Sequence, residues 1–133
     1  MINSNIAFLD ENLSVKAIDE RYAVITYFFN SVAYRNPLGN LFKLLKDHGL
    51  CFEGERCEVY DDPTEYPDED PFEVRFRVPH LRGEPFSTVY VTWEQFFDLL
   101  RLFAKSHLHK HPEDEAELRQ MFEENGVAFE IKE

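Results

Sequence analysis

The chain has 133 residues, room for one hydrophobic core of ordinary size, and its 44% hydrophobic and 15% aromatic content excludes wholesale disorder. Twenty-six Asp and Glu against 14 Lys and Arg leave a formal charge of −12, which disfavours direct binding to nucleic acid or an anionic membrane, since both call for cations on the protein. Two cysteines are too few for a disulfide scaffold, Met1 to Leu9 lack the basic start and apolar stretch of a signal peptide, and no apolar run approaches the roughly 18 residues of a membrane span, so a cytoplasmic protein is expected.

After a polar start, Ile18, Tyr22, Ile25, Phe29, Val32 and Ala33 follow helical spacing, and Val24, Tyr27 and Phe28 add apolar surface on other faces. This predicts a helix buried on much of its circumference. Pro37 requires it to end near Tyr34 to Asn36. A shorter helix follows, with Leu38, Leu41, Phe42, Leu44 and Leu45 on its apolar side and Lys43, Lys46 and His48 toward the negative end of its dipole. Gly49 is placed to close it in a left-handed cap.

The period then changes. Leu50 to Tyr60 reads as a strand, with Cys57 and Val59 inward and Glu58 and Tyr60 outward. Phe72, Val74, Phe76 and Val78 alternate with Glu73, Arg75 and Arg77, the pattern of a strand with one face in the core and the other in water, and Pro79 stops it. Beyond a turn containing Arg82, Gly83 and Pro85, the residues Val89, Val91 and Trp93 alternate with Thr88, Tyr90 and Thr92, which predicts an antiparallel partner for the preceding strand.

Thr92, Trp93, Glu94 and Gln95 match the capping box, in which the Thr hydroxyl accepts from the amide three residues on and the Gln side chain reaches back. The helix it opens carries Phe96, Phe97, Leu100, Phe103, Ala104 and Leu108 as an apolar stripe. Pro112 opens a further helix, with Glu113, Asp114 and Glu115 in the first turn and Leu118, Met121 and Phe122 as its buried side. Asn125 and Gly126 end it, and Val127, Phe129 and Ile131 alternate in what reads as a last short strand. The fold class expected is α+β: a single domain over residues 1–133, with a mainly antiparallel sheet of three to four strands packed by about four helices.

The densest chemical feature is the run from 53 to 73. It holds Glu53, Glu55, Glu58, Asp61, Asp62, Glu65, Asp68, Glu69, Asp70 and Glu73 against the single cation Arg56. Pro63, Pro67 and Pro71 exclude a regular helix, so these carboxylates gain no relief from i,i+4 ion pairs. Three readings stand: a solvated acidic loop, a calcium site, or a docking surface for a basic protein. Calcium fares worst, because residues 61–73 contain no glycine for the sharp turn such loops use. Tyr60, Tyr66 and Phe72, interleaved with the acids, suit the docking reading, since aromatic anchors dominate interfaces.

Elsewhere the chemistry is sparse. His107, His109 and His111 form H-x-H-x-H, but three histidines and Lys110 at a helix C-terminus are accounted for by the dipole. Cys51 and Cys57 have no second pair to complete a zinc site. No nucleophile elbow, P-loop or dinucleotide fingerprint is present, so no catalytic residue, metal or cofactor is assigned. Tyr22, Tyr27 and Phe28 read as core aromatics more readily than as a pocket lining.

The run from Val89 to Phe97, ending in Thr-Trp-Glu-Gln-Phe-Phe, then an amphipathic helix, then His111-Pro112-Glu113-Asp114-Glu115, resembles immunity proteins of bacterial contact-dependent growth inhibition systems, in particular those paired with ribonuclease toxins. The resemblance covers about residues 86–125. It implies a protein without catalytic residues that binds and neutralises the toxic C-terminal domain of a large secreted effector. A nuclease grips its substrate with a cationic surface, which carboxylates can occupy in place of phosphates. The expected partner is therefore a basic nuclease toxin domain, contacted through Glu55, Glu58, Asp61, Asp62, Glu65, Tyr66, Asp68, Glu69, Asp70 and Glu73. The competing expectation is an acidic adaptor or regulatory domain that binds another basic protein without inhibiting it; a small-molecule enzyme comes third.

Overall fold

The computed structural model describes residues 6–52, 55–59, 74–79 and 86–129. It opens on a hairpin absent from the sequence reading, in which β1 (Ala7–Leu9) pairs antiparallel with β2 (Val15–Ala17). The strands are too short to show a period, and their connection has no glycine. Asp10 builds the turn instead. Its carboxylate accepts the amides of Asn12 at 2.9 Å and Ser14 at 3.0 Å, while Leu13 takes a left-handed φ of 61°.

A 3-10 turn at Glu20–Tyr22, capped by Asp19, leads into α1 (Ala23–Arg35). The predicted burial of this helix holds for Val24, Ile25, Phe28, Phe29 and Val32, whereas Ile18 precedes it and is exposed. Thr26 anchors α1 to the hairpin by accepting the Ala17 amide at 2.7 Å. The second helix, α2 (Pro37–Asp47), begins at the proline, where a missing N–H costs nothing, with Asn36 capping the Gly39 amide. Its C-terminus departs from expectation. His48, not Gly49, takes the left-handed conformation, with φ 56°, and donates its amide to Leu44 at 3.1 Å. A left-handed residue other than glycine costs about 1 kcal/mol. The His48 ring meets Trp93 edge-on, with centroids 5.0 Å apart.

The stretch read as one strand from Leu50 is two. β3 (Leu50–Phe52) folds back on β4 (Glu55–Val59), with Leu50 opposite Cys57 and Phe52 opposite Glu55. Only Glu53 and Gly54 separate them in sequence, the length of the tightest hairpin connection. β5 (Val74–Pro79) and β6 (Phe86–Val91) complete an antiparallel sheet of order β3-β4-β5-β6, and the predicted pairing of the last two is present, with Phe76 opposite Val89.

Val74, Phe76, Val78, Val89 and Val91 form the buried face of this sheet. Helix α1 covers them: Phe76 meets Phe28 at 5.1 Å and Phe29 at 5.9 Å between ring centroids. From the other side α3 (Trp93–Lys110) brings Phe96 to 6.3 Å from Phe76 and Phe103 to 5.6 Å from Phe29. These rings join one contiguous apolar cluster that also takes in Leu118 and Phe122 of α4 (Glu115–Glu124). The opposite face of β5 is drier than its alternation predicts, since Arg75 is only 8% exposed and Arg77 is half-buried. β5 is an interior strand, so neighbours on both sides flank these side chains, and both are engaged in interactions.

The capping box at α3 is complete, with Gln95 N–H donating to Thr92 Oγ1 at 3.1 Å and Thr92 N–H to Gln95 Oε1 at 2.9 Å. Ser106 on this helix donates to the Leu13 carbonyl and so holds the N-terminal hairpin against α3. Pro112 opens a 3-10 turn, Pro112–Asp114, that runs into α4. The terminal strand expected from Val127 is not formed over the described residues, which run to Phe129. Gly126, at φ 70°, turns the chain back, and the Val127 amide donates to Phe122 at 3.0 Å. Phe129 packs edge-on against Phe122 at 5.1 Å, so here the apolar alternation reflects docking onto α4, not pairing in a sheet. Glu130 to Glu133, and with them Ile131, lie outside the described residues. Among the described residues no helix is long and apolar enough to cross a membrane.

Candidate partner-binding surface

Antiparallel pairing fixes where the acidic run begins and ends. Val59, the last residue of β4, is opposite Val74, the first of β5, and Val74 is in turn opposite Val91, the last of β6. Neighbouring strands lie about 4.8 Å apart. Val59 and Val74, which flank residues 60–73, are therefore one strand spacing from each other, at the end of the sheet where β6 leads into α3. Of the residues expected to bind a partner, Glu55 and Glu58 lie on β4, with Glu55 opposite Phe52 and Glu58 opposite Arg75 in register. Asp61, Asp62, Glu65, Tyr66, Asp68, Glu69, Asp70 and Glu73 lie outside the described residues, as do Glu53, Tyr60 and Phe72.

A second acidic surface stands on the described part of the chain. Glu113, Asp114, Glu115, Glu117, Glu123 and Glu124 face a single cation, Arg119, along the turn and helix from 112 to 124. All but Asp114 are exposed. Arg119 reaches Glu115 at 3.6 Å and lies over the Phe129 ring at 4.7 Å. The sequence reading used the first three of these acids only as helix-dipole partners; six acids to one base over thirteen residues was the signal for a charged surface.

The histidine run is divided between core and solvent. His107 is 8% exposed, its Nε2 lies 2.6 Å from Asp114 Oδ2, and its ring is 4.8 Å from that of His111. His109 and His111 are exposed. The run thus ties the end of α3 to the turn before α4. Among the described residues no group of three or more His, Cys, Asp or Glu is arranged to hold a metal ion.

Two carboxylates show how the surroundings set ionisation. The Arg21 guanidinium, hydrogen-bonded to Asp19 at 2.8 Å, holds that carboxyl below the usual range. Asp98 goes the other way. Burial pushes its carboxyl up and outweighs the attraction of Arg101 at 2.8 Å, with Glu94 adding to the rise. Arg101 also donates to the Ala128 carbonyl at 2.6 Å, linking α3 to the segment after α4.

Solvent meets a different chemistry on α1. Tyr27 is 52% exposed and Tyr34 90%, with Asn30 exposed between them and Ser31 donating back to the Tyr27 carbonyl at 3.2 Å. Tyr27 was expected in the core. It sits on the outward face because Phe28, the next residue, takes the inward one against Phe76. From Ala23 to Tyr34 the helix contains no charged residue. That absence, in a chain of which 30% is charged, was the signal the apolar periodicity concealed.

A family model described as CDI immunity protein matches residues 21–122. That span begins at the turn before α1 and ends within α4. No curated protein matches the chain.

Proposed function

The chain belongs to the CDI immunity protein family, and on that premise we propose that it neutralises a cognate nuclease toxin by presenting the acidic segment 53–73 to the toxin's cationic surface. Members of this family are toxin inhibitors without enzymatic activity, so what has to be explained is recognition and not turnover. The observation that carries the reading is the placement of charge. Segment 53–73 has ten acids and one base, which accounts for nine of the twelve excess negative charges. A solubility requirement would spread such charge over the surface, whereas a local concentration steers encounter with an oppositely charged partner. A nuclease is the kind of toxin whose active site must be cationic, because it holds a polyanion. The encounter takes place in the cytoplasm.

The test compares association with catalytically inactivated candidate CDI toxin domains, at low and high salt. Replacing Asp61, Asp62, Asp68, Glu69 and Asp70 together by Asn and Gln should slow association about tenfold or more at low salt and flatten its salt dependence. An unchanged association rate would show that the segment is not the docking surface. The exposed acids of α4 favour one competing site for the same cation-rich partner. Replacing Glu115, Glu117, Glu123 and Glu124 by Gln separates the two surfaces.

A further inference from the structure

The outward face of α1 is built from residues that neither stability nor solubility selects. Tyr, Asn and Ser are all weaker helix formers than Ala, Lys, Glu or Gln, and at an exposed position nothing in the core decides the choice. Yet Tyr27, Asn30, Ser31 and Tyr34 occupy this face, and the first turn has no acid to complement the dipole. Among the described residues neither tyrosine hydroxyl has a hydrogen-bond partner. Tyr27 and Tyr34 are seven positions apart on the helix, about 10 Å along the axis, with Asn30 exposed between them. Tyrosine enrichment, charge depletion and short polar side chains are together the composition of a binding face.

Two kinds of occupant compete, a second copy of this chain and a protein of opposite charge. Net charge decides between them. At −12, two copies repel each other as they approach, whereas a cationic domain is attracted. A phenol ring also suits such a domain, since an arginine guanidinium stacks on it while the hydroxyl offers both a donor and an acceptor.

We propose that the uncharged face of α1, centred on Tyr27 and Tyr34, is a second contact surface for the basic toxin domain and governs how long the complex lasts. This rests on the reading of the chain as an inhibitor of a basic toxin, and it divides the work between two surfaces. Clustered carboxylates set the rate of encounter, and buried aromatic anchors set the rate of escape.

The experiment measures association and dissociation rates of the full chain with the inactivated CDI toxin domain that it binds among candidate toxin domains. Tyr27→Ala with Tyr34→Ala should raise the dissociation rate about tenfold or more, leaving the association rate and its salt dependence within about twofold of the parent. Circular dichroism should show the helix content and thermal midpoint of the parent, and Tyr34→Phe should retain most of the ring's contribution. A double variant that keeps the parent dissociation rate while remaining folded overturns the proposal and leaves the acidic-segment reading standing. A dissociation rate that rises beside an association rate insensitive to the acidic substitutions supports the tyrosine face and removes the acidic segment. Sedimentation of the parent as a dimer, made monomeric by the double variant, would assign the face to self-association and overturn the proposal. Failure of the parent to bind any of the candidate CDI toxin domains overturns both readings.

Discussion

Helices α1 and α3 serve the core in the same way and meet water in opposite ways. Each contributes fully buried aromatic rings, Phe28 and Phe29 from α1 and Phe96 from α3, and the two sets close on Phe76 from either side. Outward, α3 carries Glu94 and Lys105 and leads into the acid-rich surface of α4, while α1 shows tyrosine, asparagine and serine. Since inward packing is equivalent, the outward difference does not come from folding. Charge on α4 keeps that helix solvated and makes it an acidic surface, whereas α1 meets water with uncharged side chains.

That comparison can be broken at its shared centre. Phe76→Ala removes the ring on which both helices converge and should cost about 3–5 kcal/mol, measured by chemical denaturation. If α1 and α3 depend on one core, fluorescence of Trp93, the single tryptophan, and far-ultraviolet circular dichroism should report one coincident transition, shifted as a whole. Two separated transitions would show that the helices belong to independently stable units. Thr92→Ala is smaller and confined to α3. Losing the capping hydroxyl, which accepts the Gln95 amide, should cost about 1 kcal/mol without altering the toxin association rate.

The smallest effect concerns pH. Asp98 has its carboxyl raised above the ordinary 3.8 in the folded protein, so the folded state holds that proton more tightly than the unfolded chain does. The resulting contribution is full below about 3.8 and is lost as pH rises through the elevated folded value. Asp98→Asn should therefore flatten the fall in stability above that point, as read from urea midpoints across a pH series. An unchanged slope would place the dependence on other carboxylates.

How much was legible in the sequence followed from how local the determining interactions are. The capping box needs only four consecutive residues, and Thr92 with Gln95 makes it as expected. The β5 and β6 strands declare their period over six residues each, and their pairing followed. The β1–β2 hairpin has three residues per strand and a turn made by Asp10 and Leu13, too little for a period and with no glycine to mark it. His48 takes a left-handed backbone while its ring meets Trp93, Phe96 and Phe97, contacts from far along the chain that its local sequence does not reveal. Val127 and Phe129 alternate like a strand but are held by Phe122, a contact that depends on where Gly126 turns the chain. The candidate surfaces divided in the same manner. Acid density can be read directly as a run in sequence, while the tyrosine face emerged only once burial separated Tyr27 and Tyr34 from the apolar residues between them.

The pairing of Val59 with Val74 has a consequence for the sequence between them. Two residues paired in adjacent strands fix the points at which the intervening sequence leaves and rejoins the sheet, and loop closure in general costs only about 0.6 kcal/mol per doubling of length. The core need not change when that segment does. Substitutions between these two positions therefore leave the Val59–Val74 pairing, and the sheet built on it, unchanged.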